Sequence, residues 1–247
     1  MQFLRSLIFR VLFALNSCLF ASFGLLCYIF PRSVSQGVAD AWSWVTIKLL
    51  RIPGIKTKVE GRENLGKHPV IFASKHQSDF ETAMLRLVLK KYRVVYVAKK
   101  QLLQVPLWGW VLRRTGAIPA KKASSLKDLN GIQKLAEKRI KENHSLIIFP
   151  EGMRTKPGQE PKYQAGVGIL YSRLLVPVVP IALNSGLFWN KNDFVLKKGT
   201  VVIRILPRIN PGLKIKDLLH KLESGIEKES NELCGCKAES RAIKPGL

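Results

Sequence analysis

Two side chains that can move a proton together lie in the first half of the chain: His76 and Glu81, with four residues between them. They follow an apolar run at residues 70–73 that is typical of a buried strand, and a helical pattern begins at residue 82. Functional side chains of α/β domains gather at such strand-to-helix turns. A carboxylate placed there can hold an imidazole in one tautomer and stabilise its charged form, which is the orienting half of a Ser-His-Asp triad without the serine. A base without a nucleophile of its own suits a substrate hydroxyl as the attacking group.

This chemistry requires a particular local geometry. In a continuous helix, residues five positions apart point about 140° away from each other, because each residue turns by about 100°. A direct contact therefore needs His76 in the turn and Glu81 in the first stretch of the helix. The alternative is that His76 is a solvated or capping residue, since the His-x4-Glu spacing alone carries little information.

A second candidate site is the loop at residues 150–155, which follows an apolar run at 146–149. Gly152 lets the backbone come close to a ligand, and Arg154 can hold two phosphate oxygens at once. The loop therefore predicts a phosphate site. The alternative is a loop in which Glu151 and Arg154 merely pair with each other.

The elements that must position both turns alternate along the chain after Pro53-Gly54, which predicts a layered α/β domain. The predicted strands cover residues 55–60, 69–74, 93–98, 145–149, 176–183 and 200–206. The predicted helices cover residues 81–90, 101–114, 125–141, 163–173 and 212–230. We expect a membrane-associated helical segment at 1–52, a catalytic domain at 53–233 and a disordered tail at 234–247.

The leader carries two helical patterns. Residues 11–30 contain no charge, and twenty residues of helix can just cross the roughly 30 Å hydrocarbon core of a bilayer. This run is longer than the core of a signal peptide, and no small-residue cleavage site follows it, so we predict a retained membrane segment. Residues 35–52, with Trp42 and Trp44, suit a helix at the headgroup level. A hairpin in one leaflet and a span followed by an interfacial helix are both compatible with the pattern.

The charge predicts an anionic partner. Lys and Arg number 41 against 17 acidic residues, a net charge of +24, while hydrophobic residues make up 47% of the chain and argue against a disordered basic protein. The basic residues are dispersed and no nucleic-acid motif appears, so we expect an anionic phospholipid membrane rather than nucleic acid. The four cysteines lack the spacing of a zinc site, and we expect a reduced chain with no metal.

Taken together, the two turns resemble the signature blocks of the glycerolipid acyltransferases, and most closely those of the 1-acylglycerol-3-phosphate (lysophosphatidic acid) acyltransferases. The matching blocks are residues 76–81 and 149–155, and two more fit the family in order, at residues 98–118 and 176–186. The resemblance runs from about residue 55 to 210. It implies a layered domain with a mixed central sheet flanked by helices.

The resemblance also implies a reaction and its residues. A fatty acyl group would pass from a thioester, on coenzyme A or acyl carrier protein, to the free hydroxyl of lysophosphatidic acid, giving phosphatidic acid. His76 would be the general base and Glu81 would orient it. Arg154, with Lys99 or Lys100, would clamp the substrate phosphate.

The remaining expectations also follow from the resemblance. Glu151 and Gly152 belong to the substrate-binding loop, where Glu151 would shape the loop or hold Arg154. No metal or organic cofactor is expected beyond the acyl donor, and the site is expected on the cytoplasmic side of a bacterial inner membrane. The alternatives are another acceptor, such as glycerol 3-phosphate or a different lysolipid, hydrolysis of the thioester by water, and a non-enzymatic basic protein that binds membranes or nucleic acid.

Three positions depart from the family pattern. Glu81 stands where many members have Asp, and Met153 stands where Thr is commoner. The second block ends in Lys121 and Lys122 in place of an Arg, and lysine lacks the fork geometry of arginine.

Overall fold

A computed structural model describes residues 1–120, 126–159 and 161–236. Within them, seven strands form one sheet. The strands are β1 Ile55–Glu60, β2 Ile71–Ser74, β3 Val95–Lys99, β4 Ile118–Ala120, β5 Leu146–Ile148, β6 Val178–Leu183 and β7 Gly199–Ile205. The helices are α1 Gln2–Leu26, α2 Arg32–Leu49, α3 Phe80–Val88, α4 Trp108–Arg114, α5 Leu126–Lys141, α6 Gly166–Leu174 and α7 Ile215–Cys234.

The sheet is mixed, which confirms the predicted fold class. Its strand order is β1-β7-β6-β2-β5-β3-β4. The strands from β6 to β4 pair in parallel, whereas β7 pairs antiparallel with β6 and parallel with β1. The carboxyl ends of β2, β5 and β3 therefore meet at one edge of the sheet, and both candidate turns leave from that edge.

The sheet is covered on both faces, because the central strands are apolar on both sides. Phe72 of β2 packs in a buried cluster with residues of α1 and α3, such as Phe9 and Phe80. Its neighbours in the strand, Ile71 and Ala73, pack in a second cluster with residues of α5, α6 and α7. Successive side chains of this strand thus point to opposite faces of the sheet, and each face is covered by its own layer of helices.

Two predicted elements differ in the structure. The predicted helix at 101–114 begins only at Trp108, because Pro106 restricts Val105 to an extended conformation, and the stretch Lys100–Gln104 is a single 3-10 turn. Strand β4 was not predicted, since it is three residues long and contains Pro119, which only an edge strand tolerates.

The end of the chain also differs from the prediction. Helix α7 continues to Cys234, beyond the predicted end at residue 230, and Gly235 ends it with a left-handed φ of 65°. The rest of the predicted tail, residues 237–247, lies outside the described residues, as do Lys121 and Lys122. The division of the chain into segments at residues 53 and 234 stays a prediction.

Helix α1 is docked against the domain at its amino-terminal end. The Gln2 amide donates to the carbonyls of Pro53 (2.9 Å) and Leu196 (2.7 Å), and Phe9 is fully buried. The stretch Gln2–Gly24 is long and apolar enough to cross a membrane by length and composition. The helix begins well before the predicted residue 11, and it therefore includes two arginines.

Helix α2 packs beside α1, and its two tryptophans separate. Trp42 is buried, donates to the Ser17 hydroxyl at 3.2 Å and lies edge-on against Trp108 at 5.2 Å between ring centroids. Trp44 is 57% exposed. The prediction of a headgroup position thus fails for Trp42, because α1 and α4 cover it.

Candidate active site

The predicted contact between His76 and Glu81 is present. His76 follows β2, two residues after its last residue, and Glu81 is the second residue of α3. The imidazole Nδ1 lies 2.8 Å from a carboxylate oxygen of Glu81. Because a carboxylate accepts hydrogen bonds, Nδ1 carries the proton, and the lone pair of Nε2 is left to accept one.

The Glu81 carboxylate is fully buried and surrounded by hydrogen-bond donors. It accepts the backbone N–H groups of Gln77 (3.2 Å) and Ser78 (2.9 Å) and the hydroxyl of Ser185. Ser185 follows β6, 104 residues further along the chain. These donors fix the carboxylate in place, so it can orient His76 without moving.

The plane of the His76 ring is fixed by an aromatic side chain. Phe149 stacks on the imidazole with a centroid distance of 4.0 Å and an interplanar angle of 16°. Phe149 follows β5, the neighbour of β2 in the sheet, so parallel pairing brings the two rings together. The imidazole keeps about a fifth of its surface exposed, at 18%, so it stays accessible while its orientation is set.

The loop at 150–155 holds the backbone of His76. One carboxylate oxygen of Glu151 accepts the His76 N–H at 2.8 Å, and the other accepts the Thr155 hydroxyl. The N–H of Thr155 donates to the His76 carbonyl at 2.9 Å. The Glu151 side chain is completely buried, and its contacts are with the loop and the His76 backbone. Of the two predicted roles of Glu151, shaping the loop matches these contacts, whereas holding Arg154 is wrong, because the carboxylate is engaged with His76 and Thr155.

Arg154 pairs with Asp79, at 2.7 Å from guanidinium nitrogen to carboxylate oxygen. The alternative pairing of Glu151 with Arg154 is therefore also wrong. Gly152 has a φ of 68°, a left-handed conformation that lets the loop turn between the buried Glu151 and the partly exposed Arg154. Asp79 itself is half exposed, so an incoming phosphate group could compete for the guanidinium close to His76.

The two predicted lysines lie at the same edge of the sheet as the loop that carries Arg154. Lys99 ends β3, Lys100 follows it, and both are exposed. Pairing through β5 places Lys99 level with Lys75, roughly 10 Å across the sheet. No hydrogen bond or ion pair to another described residue holds either lysine, so their long side chains are free to reach a phosphate.

Several residues of the site were not predicted from the sequence, among them Phe149, Ser185 and Asp79. Ser185 and Asp79 both lie in stretches that carry family blocks, but a hydroxyl or a carboxylate there has no spacing pattern to mark its partner. Among the described residues, no group of three or more His, Cys, Asp or Glu side chains lies together as a metal site would require.

Comparison with known proteins identifies the family. The model of the family described as Acyltransferase matches residues 56–184. The 1-acyl-sn-glycerol-3-phosphate acyltransferase of Pseudomonas aeruginosa is 30% identical over 212 residues, covering 85% of this chain and 82% of that protein. The yeast protein of the same name, from Saccharomyces cerevisiae, is 27% identical over 223 residues, covering 88% of this chain and 72% of that protein.

A solved structure shares the fold. The crystal structure of the 1-acyl-sn-glycerophosphate (LPA) acyltransferase from Thermotoga maritima superimposes with a TM-score of 0.76, covering 94% of this chain and 98% of that one. At 19% identity, this likeness concerns the fold alone. With the family match and the relative at 30% identity, the chain belongs to the acyltransferase family and is an O-acyltransferase.

Proposed function

We propose that the protein transfers a fatty acyl group from an acyl thioester to the free hydroxyl of 1-acylglycerol 3-phosphate, giving phosphatidic acid. The observation that carries this proposal is the His76–Glu81 pair, in which a buried carboxylate holds Nδ1 and leaves Nε2 to accept a proton. The names of the relatives support the choice of acceptor.

In the proposed reaction, the acceptor hydroxyl attacks the thioester carbonyl while His76 Nε2 takes its proton. Glu81 stabilises the imidazolium that forms. The carbon–sulfur bond then breaks, and the proton passes from the imidazolium to the departing thiolate, which leaves as a free thiol. We expect no metal or organic cofactor to be needed, because the base and the phosphate clamp are both side chains of this chain.

The acceptor phosphate is proposed to bind Arg154, with Lys99 or Lys100 approaching from the neighbouring strand. Holding the phosphate fixes the position of the hydroxyl relative to His76, which turns binding into orientation. The donor thioester is carried by coenzyme A or by acyl carrier protein. Purified wild-type protein given each donor with labelled acyl groups tests both choices, and absence of phosphatidic acid with either donor would overturn the proposed function.

Arg154→Ala is expected to weaken use of the phosphorylated acceptor more than it slows the chemical step. A hydrogen bond to a charged group is worth about 1.5–3 kcal/mol, so kcat/KM for lysophosphatidic acid falls by about ten- to a hundredfold. Initial rates at varied acceptor concentration measure this loss. The matched control is Arg173→Ala, which removes an exposed arginine that pairs with Glu137 on α5, away from the site. Equal losses in the two variants, or an unchanged KM with Arg154→Ala, would contradict the phosphate role.

We propose that the protein binds the cytoplasmic membrane of a bacterium through α1, with its active site on the cytoplasmic side. The outward face of α1 carries large apolar side chains at three- and four-residue spacing, more than a third exposed in each case: Leu4, Ile8, Val11, Leu15, Leu19 and Phe23. A stripe of this size is too apolar for a surface left in water. The net charge of +24 adds attraction to anionic lipid.

Leu15→Glu with Leu19→Glu is therefore expected to release the protein from anionic vesicles. Each buried leucine contributes about 1.5–3 kcal/mol, so the partition coefficient falls by at least about a hundredfold for the pair. Vesicle sedimentation measures the bound fraction. Leu135→Glu is the control, since Leu135 is also a surface leucine, 37% exposed, but lies on α5, which packs on the other face of the sheet. Unchanged sedimentation of the α1 double variant would contradict the membrane role of this face.

A further inference from the structure

The residue just before the base is a buried lysine. Lys75 is 2% exposed, and its Nζ donates to both carboxylate oxygens of Glu227, at 2.8 Å and 2.7 Å. The same Nζ lies 3.7 Å from Glu151. Removing an ammonium group from water costs several kcal/mol, and apolar residues of similar size often stabilise a fold as well or better. Stability alone therefore gives this group no evident reason to be charged.

Glu227 comes from a part of the chain far from the active-site turns. It lies on α7, outside residues 56–184 that match the family model. Besides Lys75, its carboxylate accepts the hydroxyl of Tyr163 at 2.9 Å. We call Lys75, Glu151, Glu227 and Tyr163 the Lys75 network. The network connects the last helix to the loop that holds the backbone of His76.

We propose that Lys75 is a positioning residue that keeps Glu151 ionised and thereby holds His76 in place for proton transfer, while Glu227 holds Lys75 beside Glu151. This inference rests on the proposed role of His76 as the base. An ionised Glu151 accepts two donors at once, the His76 N–H and the Thr155 hydroxyl. A protonated Glu151 presents a hydroxyl where one of these donors needs an acceptor. The loop then loses one of the bonds that fix the backbone of the base.

The electrostatics of the site give Lys75 this role. Burial raises the pKa of Glu151 to about 7, and the positive charge of Lys75 opposes the rise more than any other group does. The Thr155 hydroxyl and the His76 N–H also lower this pKa, and the negative charge of Glu227 raises it. Because the charged form of Glu151 is stabilised by Lys75, loss of that lysine raises the pKa further. The charge of Lys75 affects this pKa more than the charge of Glu227 does, so removing both charges still raises it. A larger fraction of Glu151 is then protonated at neutral pH, and its ionisation moves to more alkaline solution.

The variant that tests this proposal carries two substitutions together, Lys75→Met and Glu227→Met. A single Lys75→Met leaves two carboxyl groups in one buried site, which can prevent folding. The double variant removes both charges with side chains of similar length, so we expect its melting temperature to stay near that of wild type. Glu229→Gln is the matched control, because Glu229 lies two residues away on the same helix and pairs with Arg204 instead.

The pH dependence of kcat distinguishes a positioning role of the Lys75 network from a purely structural one. We expect kcat of the folded double variant at neutral pH to fall by about ten- to a hundredfold, the range expected when a reacting group is slightly misplaced. KM should change little, and the deficit relative to wild type should shrink as the pH rises and Glu151 ionises. Wild-type kcat in the double variant would overturn the proposal, and so would a deficit of the same size at every pH.

A second measurement does not depend on the reaction. In the His76→Gln background, which removes the imidazole as a competing titration, 15N-threonine labelling reports the amide of Thr155 beside Glu151. We expect the chemical shift of this amide to change with a midpoint near pH 7 when Lys75 is present. In the double variant with Lys75→Met and Glu227→Met, we expect the midpoint at higher pH. The same midpoint in both proteins would overturn the proposal. If wild type transferred no acyl group to lysophosphatidic acid, the proposed function would fail, while this titration would still decide the network.

Discussion

Replacing His76 by alanine is expected to lower kcat by about two to four orders of magnitude, the range that general bases contribute. The imidazole is the described group that combines a fixed orientation, a buried carboxylate on one nitrogen and an accessible second nitrogen. Without it, the acceptor hydroxyl must lose its proton to water as it attacks. The loss is measured as labelled acyl transfer to lysophosphatidic acid by purified protein at saturating donor.

The His76→Ala protein must remain folded for its loss of activity to be informative. After truncation of His76 the buried Glu81 carboxylate keeps its donors from Gln77, Ser78 and Ser185, so the variant should melt close to wild type. His220→Ala is the matched control, since His220 is exposed on α7. A folded His76→Ala protein with full activity would exclude His76 as the base. Residual activity of the expected size reflects substrate positioning by Arg154 and the loop, which the substitution leaves intact.

The local part of the site could be predicted from the sequence because it depends on a few consecutive residues. A strand end, a turn and the first turn of a helix fix the distance between His76 and Glu81 with little help from the rest of the fold. The strand at 55–60 was likewise predicted to the residue, because Pro53-Gly54 marks its start and its alternation is regular. The geometry of such features is determined by the local sequence.

The long-range part of the site could not be predicted in this way. Ser185 reaches Glu81 across 104 positions and Glu227 reaches Lys75 across 152, and both contacts depend on how β6 and α7 pack on the sheet. The Arg154 partner shows the same limit. Either Glu151 or Asp79 could form the ion pair with Arg154. The structure shows that Asp79 does so, because the Glu151 side chain is buried.

Glu81→Gln is expected to lower kcat nearly as much as the loss of His76, by about two to four orders of magnitude. Glutamine keeps the size of the side chain but can place an NH2 group opposite Nδ1, which favours the wrong imidazole tautomer. The corresponding Asp-to-Asn change in the Ser-His-Asp triad costs about 10⁴ in kcat. Acyl transfer at saturating substrates measures the loss. Glu137→Gln, on the surface of α5, is the matched control for the chemical change.

The role of Glu81 can also be tested by measuring whether the effects of Ser185→Ala and Glu81→Gln on kcat depend on each other. Ser185→Ala removes one donor to the Glu81 carboxylate, a hydrogen bond to a charged group worth about 1.5–3 kcal/mol, so kcat alone should fall by up to about ten- to a hundredfold. If Ser185 acts by placing the carboxylate on His76, the same substitution should cost almost nothing once Glu81→Gln has removed that carboxylate. Additive losses in the double variant would mean that Ser185 acts on something other than Glu81. Full activity of a folded Glu81→Gln protein would mean that His76 needs no carboxylate to orient it, and the pair would then be a structural contact.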